Sequence, residues 1–490
     1  MSRLIVGPFN RVEGDLEVAL EVVRGRVRSA QVNATMYRGF EQILQGKPAP
    51  DALIYVPRIC GICSVSQSVA AARALADLAG LREMPANGQN AINLIAATEN
   101  MADHLTHFYA FFMPDFCRMV YADRPWYGEA LRRFSTDTGV SIRQAIAARQ
   151  RWMMMLGTLA GKWPHTQSIE PGGSSRAIDA AERVRLLSRL REFRAFLENH
   201  LLGSPLEVFN SLQSEEALWS WVAQDPTQGD VRFFMSLVHD AQLMSLGPGP
   251  GRYLSYGAYP QPDGGLALAR GVWRDAPLGQ PGQLEALDTA TITEDATHAW
   301  LVGGTAPLHP AVGLTQPLLD KAGAYTWNKA PRLGGQVVET GAIARQLVSA
   351  NPLVRDVVMR HGGVVYSRVL ARLAELAQGV VAMEHWLHGI VPGQAFFTPV
   401  HLPKEGQGVG LSEAARGSLG HWVSVQNGRI ANYQIVAPTG WNFSPRDAEG
   451  VPGALEQALV GAPVLAGEKT PVAVQHIVRS FDPCMVCTVH

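Results

Sequence analysis

Two stretches near opposite ends of the chain decide how it must fold: Arg58-Ile-Cys-Gly-Ile-Cys63 and Asp482-Pro-Cys-Met-Val-Cys487. Each contains a Cys-x-x-Cys pair, and together they hold four of the five cysteines, the fifth being Cys117. Soft and borderline metal ions prefer thiolate ligands. About 420 residues separate the two pairs, so only a completed tertiary fold can bring them to one metal.

The cysteine spacing alone leaves three kinds of site open: a structural zinc site, an iron–sulfur cluster and a catalytic metal centre. Zinc ribbons usually place their cysteine pairs tens of residues apart, not hundreds. Thiol–disulfide exchange is less favoured, because neither pair belongs to a strand–Cys-x-x-Cys–helix unit. The residues that flank the cysteines must therefore decide between the three sites.

Composition and charge exclude several functional classes. The chain has 490 residues, of which 47% are hydrophobic and 17% charged, and its formal net charge is −1. This balance gives no electrostatic basis for binding nucleic acid or an anionic membrane. The sequence contains no apolar run of about 18 residues, so no membrane span is predicted. The N-terminal stretch lacks the pattern of a secretion signal. Few cysteines in a long chain argue against a disulfide framework, so we expect a reducing cytoplasm.

The hydrophobic periodicity predicts one mainly α-helical domain with small β elements over residues 1–490. Alternating apolar and polar residues predict a β-hairpin region, and longer periods predict helices that include 205–224 and a last one at 452–462. The predicted parts are a β-hairpin region at 3–33, a helical core at 61–244, a loop and strand subregion at 246–335, and helices, strands and the C-terminal metal motif at 338–490.

Five more motifs accompany the cysteine pairs in the same order along the chain. They are Arg11-Val-Glu-Gly14, Tyr37-Arg-Gly-Phe-Glu41, Asp103-His-x-x-His-Phe-Tyr109, Glu413-Ala-Ala-Arg-Gly417 and the segment Asn432 to Asn442. With Arg58-x-Cys-Gly-x-Cys63 and the terminal Asp482-Pro-Cys-x-x-Cys-x-x-His490, they resemble the large subunit of the nickel–iron hydrogenases. The resemblance spans essentially the whole chain and implies that family's fold, a core bundle of long helices.

The resemblance implies that all four paired cysteines bind nickel. Cys60 and Cys484 match the terminal ligands, while Cys63 and Cys487 match those that bridge nickel to an iron carrying carbon monoxide and cyanide. The implied reaction is the heterolytic cleavage of H2 to protons and electrons, with a terminal thiolate as the base beside the metal.

The other motifs imply roles around the metals. Glu13 matches the proton acceptor, although a lone glutamate at a hairpin edge is ordinarily a surface residue. Arg416 matches the guanidinium that overhangs the open nickel position, with Asp103 and Asp482 as its expected carboxylate partners. Thr439 matches a hydrogen-bond donor to a cyanide ligand. In Glu413-Ala-Ala-Arg-Gly417 the family usually has proline before the arginine, and this chain has alanine.

A second metal is implied by three residues. Glu41, the backbone carbonyl of Ile435 and the imidazole of His490 match the family's buried magnesium (or iron) site, and carboxylate and carbonyl oxygens suit such a hard cation. The ending at His490 resembles either a chain from which a maturation protease has removed an extension, or a subgroup that lacks the extension.

Departures from the family pattern resemble the hydrogen-sensing (regulatory) subgroup. Gln67 stands where the family usually has histidine, and the Cys-Gly-Ile-Cys variant and the bare His490 terminus point the same way. The main prediction is therefore a cytoplasmic H2 sensor with slow turnover that signals to a histidine kinase. The alternatives are the processed large subunit of an energy-conserving uptake hydrogenase and, from another class, a zinc-stapled scaffold without enzymatic activity.

A partner protein follows from the cysteine count. Electron transfer away from the site needs further redox centres, and every paired cysteine is already assigned. The resemblance implies a small subunit that carries iron–sulfur clusters, and maturation proteins that insert the metals.

Overall fold

The structure, a computed structural model, describes residues 2–304 and 306–490. Of these residues 44% are helical and 19% lie in strands, which confirms the predicted α+β class. That the chain is one domain over 1–490 stays a prediction.

The α-helices carry most of the fold. In chain order they are α1 Phe40–Leu44, α2 Ala52–Tyr55, α3 Ser64–Leu78, α4 Ala86–Thr106, α5 Tyr127–Phe134, α6 Val140–Ala160, α7 Ala180–Phe196, α8 Leu206–Asn210, α9 Glu215–Gln224, α10 Asp230–Val238, α11 Ala342–Val348, α12 Pro352–His361, α13 Val365–Gly389, α14 Pro438–Asn442, α15 Ala454–Leu459, α16 Val472–Phe481 and α17 Met485–Thr488. Two of them, α4 and α7, continue as π-helical turns over His107–Phe112 and Leu197–Leu202.

The strands are short and form separate sheets. They are β1 Ser2–Val6, β2 Leu16–Val23, β3 Arg26–Ala34, β4 Ile169–Glu170, β5 Gly173–Ser174, β6 Arg252–Pro260, β7 Leu266–Arg274, β8 Gln283–Glu285, β9 Ile292–Asp295, β10 Ala330–Leu333, β11 Glu339–Thr340, β12 Gly406–Ala414, β13 Gly417–Gln426 and β14 Arg429–Val436. Among the described residues the sheet orders are β1-β2-β3, β4-β5, β11-β6-β7-β8, β10-β9 and β12-β13-β14.

Long helices form the core. Helix α4 packs against α6 and α13, and most side chains of α4 and α13 are buried. Gly379 on α13 permits this close approach, since an added Cβ would lie 2.4 Å from the sulfur of Met101 on α4. A helix that is apolar around most of its circumference must be enclosed by others.

Helix α3 lies directly on the β12-β13-β14 sheet. Gly408 and Gly410 of β12 make the close contact possible, because a Cβ at either position would lie about 2 Å from a backbone oxygen of α3, at Ala74 and Ala70 respectively. This packing holds the start of α3, which follows Cys63, against the strands that precede the C-terminal metal motif.

Two details of the predicted helices are wrong. The stretch 205–224 is two helices, α8 and α9, broken at 211–214. The helix at 452–462 is not the last, because α16 and α17 follow it. Helix α16 is short and rich in β-branched residues, which have low helix propensity. All ten of its residues are buried, so tertiary packing stabilises it.

Among the described residues, no helix combines the length and the apolar character that crossing a membrane requires.

Candidate metal centre

The four paired cysteines come together in the core. Cys60 and Cys63 lie in the turn that leads into α3. Cys484 immediately precedes α17, and Cys487 lies within it. The Sγ atoms lie 3.4 Å apart for Cys60 and Cys484, 2.8 Å for Cys63 and Cys487, and 3.2 Å for Cys484 and Cys487. All four Sγ atoms are within 4.8 Å of one another, so the fold brings both pairs to one point.

Local structure fixes each pair. The buried carboxylate of Glu99 accepts hydrogen bonds from the backbone N–H groups of Val65 and Ser66, which are free donors at the start of α3. On the other side, Asp482 ends α16 in the left-handed region with φ 55° and turns the chain toward Cys484. The two cysteine pairs are therefore held by rigid backbone.

The cluster holds more thiol groups than the protein alone can keep ionised. Burial raises the pKa of Cys60, Cys63 and Cys487. Burial opposes ionisation of Cys484 too, but hydrogen bonds from the other three thiols and the charge of Arg416 lower its pKa well below the usual value. Burial thus opposes ionisation of the cluster as a whole, and holding four thiolates requires added positive charge.

Arg416 is the buried cation beside the sulfurs. Its two terminal nitrogens donate to Asp103 at 2.8 Å and to Asp482 at 3.2 Å. Burial raises the pKa of Asp103 to about 7 even though Arg416 lowers it, whereas Arg416 outweighs burial and lowers the pKa of Asp482. The predicted pairing of Arg416 with both carboxylates is thus what the geometry gives. Among the described residues, Arg416 Nε and Asp482 Oδ2 are buried without a hydrogen-bond partner.

A buried ionic network holds the turn that carries Arg416. Arg345 donates to Glu413 Oε2 at 2.6 Å and to the carbonyl oxygens of Ala414 and Ala415 at 2.8 and 2.9 Å. Glu375 accepts two further hydrogen bonds from Arg345. The clamp fixes the backbone where the family usually has proline, and two of its residues, Arg345 and Glu375, were not singled out from the sequence.

Glu13 reaches the cluster through backbone pairing. It forms a β-bridge with Cys484, and its carbonyl accepts the N–H of Met485 at 2.7 Å. Partial burial and the neighbouring Cys484 sulfur raise the pKa of its side chain. The segment is held by Arg479, which donates to the carbonyls of Asn10 and Arg11. The geometry suits a carboxyl group that exchanges protons beside Cys484, and that role stays a prediction.

Two further predicted residues touch the cysteines. The hydroxyl oxygen of Thr439 accepts the N–H of Cys484 at 3.1 Å, which leaves the hydroxyl proton free to donate. The amide nitrogen of Gln67 lies 3.9 Å from Cys487 Sγ, within reach of a long N–H···S hydrogen bond. Both side chains are buried.

Glu41, Ile435 and His490 also meet, in a second cluster. Glu41 Oε1 accepts the N–H of Ile435 at 2.7 Å and lies 3.1 Å from His490 Nε2. This contact uses the N–H of Ile435, and metal binding by its carbonyl stays a prediction. Lys329 Nζ lies 3.8 Å from Glu41 and 3.2 Å from Glu294. These three side chains and His490 help to line a cavity of ≈ 20 Å³. A magnesium ion at this place stays a prediction.

The histidines of the Asp103 motif have protein partners. His104 Nε2 lies 2.9 Å from Glu375, and His107 Nε2 lies 2.7 Å from the carbonyl oxygen of Arg479. Burial lowers the pKa of His107 to about 3, so its imidazole is neutral and donates to that carbonyl.

The donor set fits a nickel–iron group. Four buried sulfurs suit nickel and iron, which prefer thiolate ligands. Bound metal ions would also supply the positive charge that ionising all four thiols requires. A closed structural zinc site has no need of a buried guanidinium held by two carboxylates beside it. Cys60, Cys63, Cys484 and Cys487 are the residues that would hold the group.

Comparison with known proteins gives one consistent result. A family profile described as "Nickel-dependent hydrogenase" matches residues 38–127 and 142–490. The periplasmic [NiFeSe] hydrogenase large subunit of Desulfomicrobium baculatum is 29% identical, and the match covers 100% of this chain and 95% of the relative. The uptake hydrogenase large subunit of Rhizobium leguminosarum bv. viciae is 27% identical over 100% of this chain and 95% of the relative.

The fold comparison agrees. The crystal structure of a reduced, active form of the Ni-Fe-Se hydrogenase from Desulfomicrobium baculatum superposes with a TM-score of 0.86 and 28% identity, and covers 100% of both chains. The fold implied by the sequence motifs is confirmed.

Proposed function

This chain belongs to the nickel-dependent hydrogenase family as a large subunit, and from this we propose that it is the active-site subunit of an energy-conserving uptake hydrogenase. The reaction is the cleavage of H2 into two protons and two electrons. The observation that carries the proposal is the convergence of four buried sulfurs from both ends of the chain beside one buried guanidinium.

The nickel–iron group, when bound, supplies the electron-rich redox centre at which H2 is cleaved. The chain's own residues do the rest. Arg416, fixed by Asp103 and Asp482, holds a permanent positive charge in a dry site, where an electrostatic contact is worth far more than in water. Cys484 Sγ is positioned to take up a proton, and Glu13 is the next group able to accept it.

The uptake role is proposed over the sensor role because of the relatives. Those reported above are named a periplasmic and an uptake hydrogenase, and these names favour the second of the roles weighed from the sequence. The sensor role depends on Gln67, the Cys-Gly-Ile-Cys variant and the His490 terminus. The relatives' names give it no support.

A partner subunit is part of the proposal. The reported relatives are large subunits by name, and electrons from H2 must leave through redox centres that the one remaining cysteine, Cys117, is not enough to hold. We propose a small subunit with iron–sulfur clusters, maturation proteins that load the metals, a magnesium ion at Glu41, and a cytoplasmic location. Fractionation of the host cell tests the location, since one relative carries the name periplasmic.

The test is H2-dependent reduction of an artificial electron acceptor by the purified large and small subunits. We expect sustained turnover, and we expect no H2-dependent change in phosphorylation of a co-purifying histidine kinase. Slow turnover together with H2-dependent kinase phosphorylation would replace the uptake role by the sensor role. Zinc in place of nickel and iron, with no acceptor reduction, would leave only the scaffold alternative.

A further inference from the structure

A row of three buried polar side chains lies behind Cys487. Gln67 on α3 has its amide nitrogen 3.9 Å from Cys487 Sγ and its amide oxygen 2.9 Å from His421 Nε2. The other imidazole nitrogen, His421 Nδ1, lies 2.8 Å from the hydroxyl oxygen of Tyr433. The three residues are at most 1% exposed.

The direction of every hydrogen bond in this row follows from the sulfur end. A metal-bound thiolate has only lone pairs, so Gln67 must turn its NH2 toward Cys487 and its carbonyl oxygen toward His421. That oxygen accepts only, so His421 Nε2 must carry the proton, and in a neutral imidazole Nδ1 is then an acceptor. Tyr433 completes the row because its hydroxyl donates to Nδ1.

The row is held in place by the fold. Strands β13 and β14 carry His421 and Tyr433, whose rings meet edge to face with centroids 5.5 Å apart. Helix α3, which carries Gln67, packs on the same sheet through Gly408 and Gly410. Neither His421 nor Tyr433 has another side-chain hydrogen bond among the described residues, so the row begins at the Tyr433 hydroxyl and ends at the sulfur.

We propose that His421 is a positioning residue that, together with Tyr433, fixes the amide of Gln67 so that its N–H faces Cys487. A neutral side-chain amide can rotate by 180° and present its oxygen to the sulfur instead, which would be repulsive. The proton on His421 Nε2 removes that alternative. An N–H directed at a thiolate withdraws electron density from the sulfur and so tunes the metals it binds. The orientation of the row requires a metal-bound thiolate at Cys487, whichever the metal, whereas this consequence rests on the proposed function.

The orientation is tested on the full-length protein in its complex, labelled with ¹⁵N-histidine. The resonance of His421 is identified by its loss in His421→Phe. We expect a protonated Nε2 and an unprotonated Nδ1. The opposite tautomer, or a doubly protonated ring, would overturn the proposal whether or not the protein is a hydrogenase.

The tuning is tested by infrared spectroscopy of the loaded complex, through its carbon monoxide and cyanide stretches. In His421→Phe the Gln67 amide loses its orienting donor, the sulfur becomes a stronger electron donor, and the carbon monoxide band moves to lower wavenumber. Tyr433→Phe gives a smaller shift in the same direction. The matched control is Tyr121→Phe, because the Tyr121 hydroxyl also lies 2.9 Å from an imidazole nitrogen, that of His476, and it leaves the band in place.

A double variant separates positioning from general perturbation. In a Gln67→Leu background there is no amide to orient, so His421→Phe produces no further band shift. An equal shift of the band with and without Gln67, or no shift in His421→Phe itself, would overturn the proposal. If the tautomer is as expected but the carbon monoxide and cyanide bands are absent, the proposed function fails and the orientation of the row stands.

Discussion

Two buried clusters lie at the two ends of the segment 484–490, and they differ in how their charge is balanced. At Glu41 and His490, the ammonium of Lys329 lies between two carboxylates, and its charge helps to lower the pKa of Glu41 to about 2 against the effect of burial. At the cysteines, the guanidinium of Arg416 pairs with two carboxylates beside the cluster of four sulfurs. The first cluster is compensated within the chain, whereas the second depends on metal ions for its full set of thiolates.

The difference is that the chain itself already pairs the charges of the first cluster, whereas the sulfurs of the second would all ionise only with metal bound. The carboxylate cluster satisfies Glu41 with the N–H of Ile435, the hydroxyl of Thr315 and the Lys329 ammonium. The cysteine cluster raises the pKa of most of its own members.

Cys484→Ala removes the sulfur that contacts the other three. We expect nickel content per chain and H2 oxidation to fall to background, measured by elemental analysis and by acceptor reduction. Cys117→Ala is the control and keeps both, because the Cys117 thiol lies outside the cluster and donates to the carbonyl of Ala130. Full nickel content in Cys484→Ala would contradict the assignment of the cysteines as nickel ligands.

Lys329→Met leaves Glu41 and Glu294 buried without their cation. Breaking a buried ion pair costs about 3–5 kcal/mol, and we expect a loss of that size in the free energy of unfolding by denaturant. If the magnesium prediction holds, millimolar Mg²⁺ recovers part of the loss in this variant.

The matched control for that experiment is Lys321→Met, since Lys321 is held by backbone carbonyls and not by carboxylates. It should lose less stability and show no response to Mg²⁺. Equal losses in the free energy of unfolding of the two variants would contradict the claim that Lys329 compensates the charge of Glu41.

Arg416→Lys keeps the charge and loses the planar fork that reaches Asp103 and Asp482 together. We expect nickel content to stay unchanged and the rate of H2 oxidation to fall by roughly 10²–10³-fold, the usual effect of losing one electrostatic donor in an active site. An unchanged rate would mean that the positive charge alone suffices.

Gln67→His is expected to have the smallest effect. The amide tunes Cys487 from outside the set of metal ligands, and we expect the rate to change by no more than roughly 10–100-fold. A gain of H2-dependent acceptor reduction together with loss of kinase signalling would restore the sensor prediction, because the residue would then separate the two classes.

The sequence motifs predicted the residues of the cysteine site better than the residues that hold that site in place. Cys60, Cys484, Arg416 and its two carboxylates were located from short motifs in the sequence, and the structure brings them together. Arg345, Lys329 and His421 carry no local signal, because their charged or amide partners are distant in sequence and only the tertiary fold makes them neighbours. Helix α16 was missed for a related reason: its stability comes from burial and not from its propensity.

The central claim is that four sulfurs from both ends of the chain bind one nickel ion beside iron. Nickel K-edge X-ray absorption on the purified complex tests it most directly. The account predicts a nickel shell made of sulfur with an iron neighbour, and loss of both signals in Cys484→Ala. A shell of oxygen and nitrogen only, or zinc in place of nickel, would contradict it.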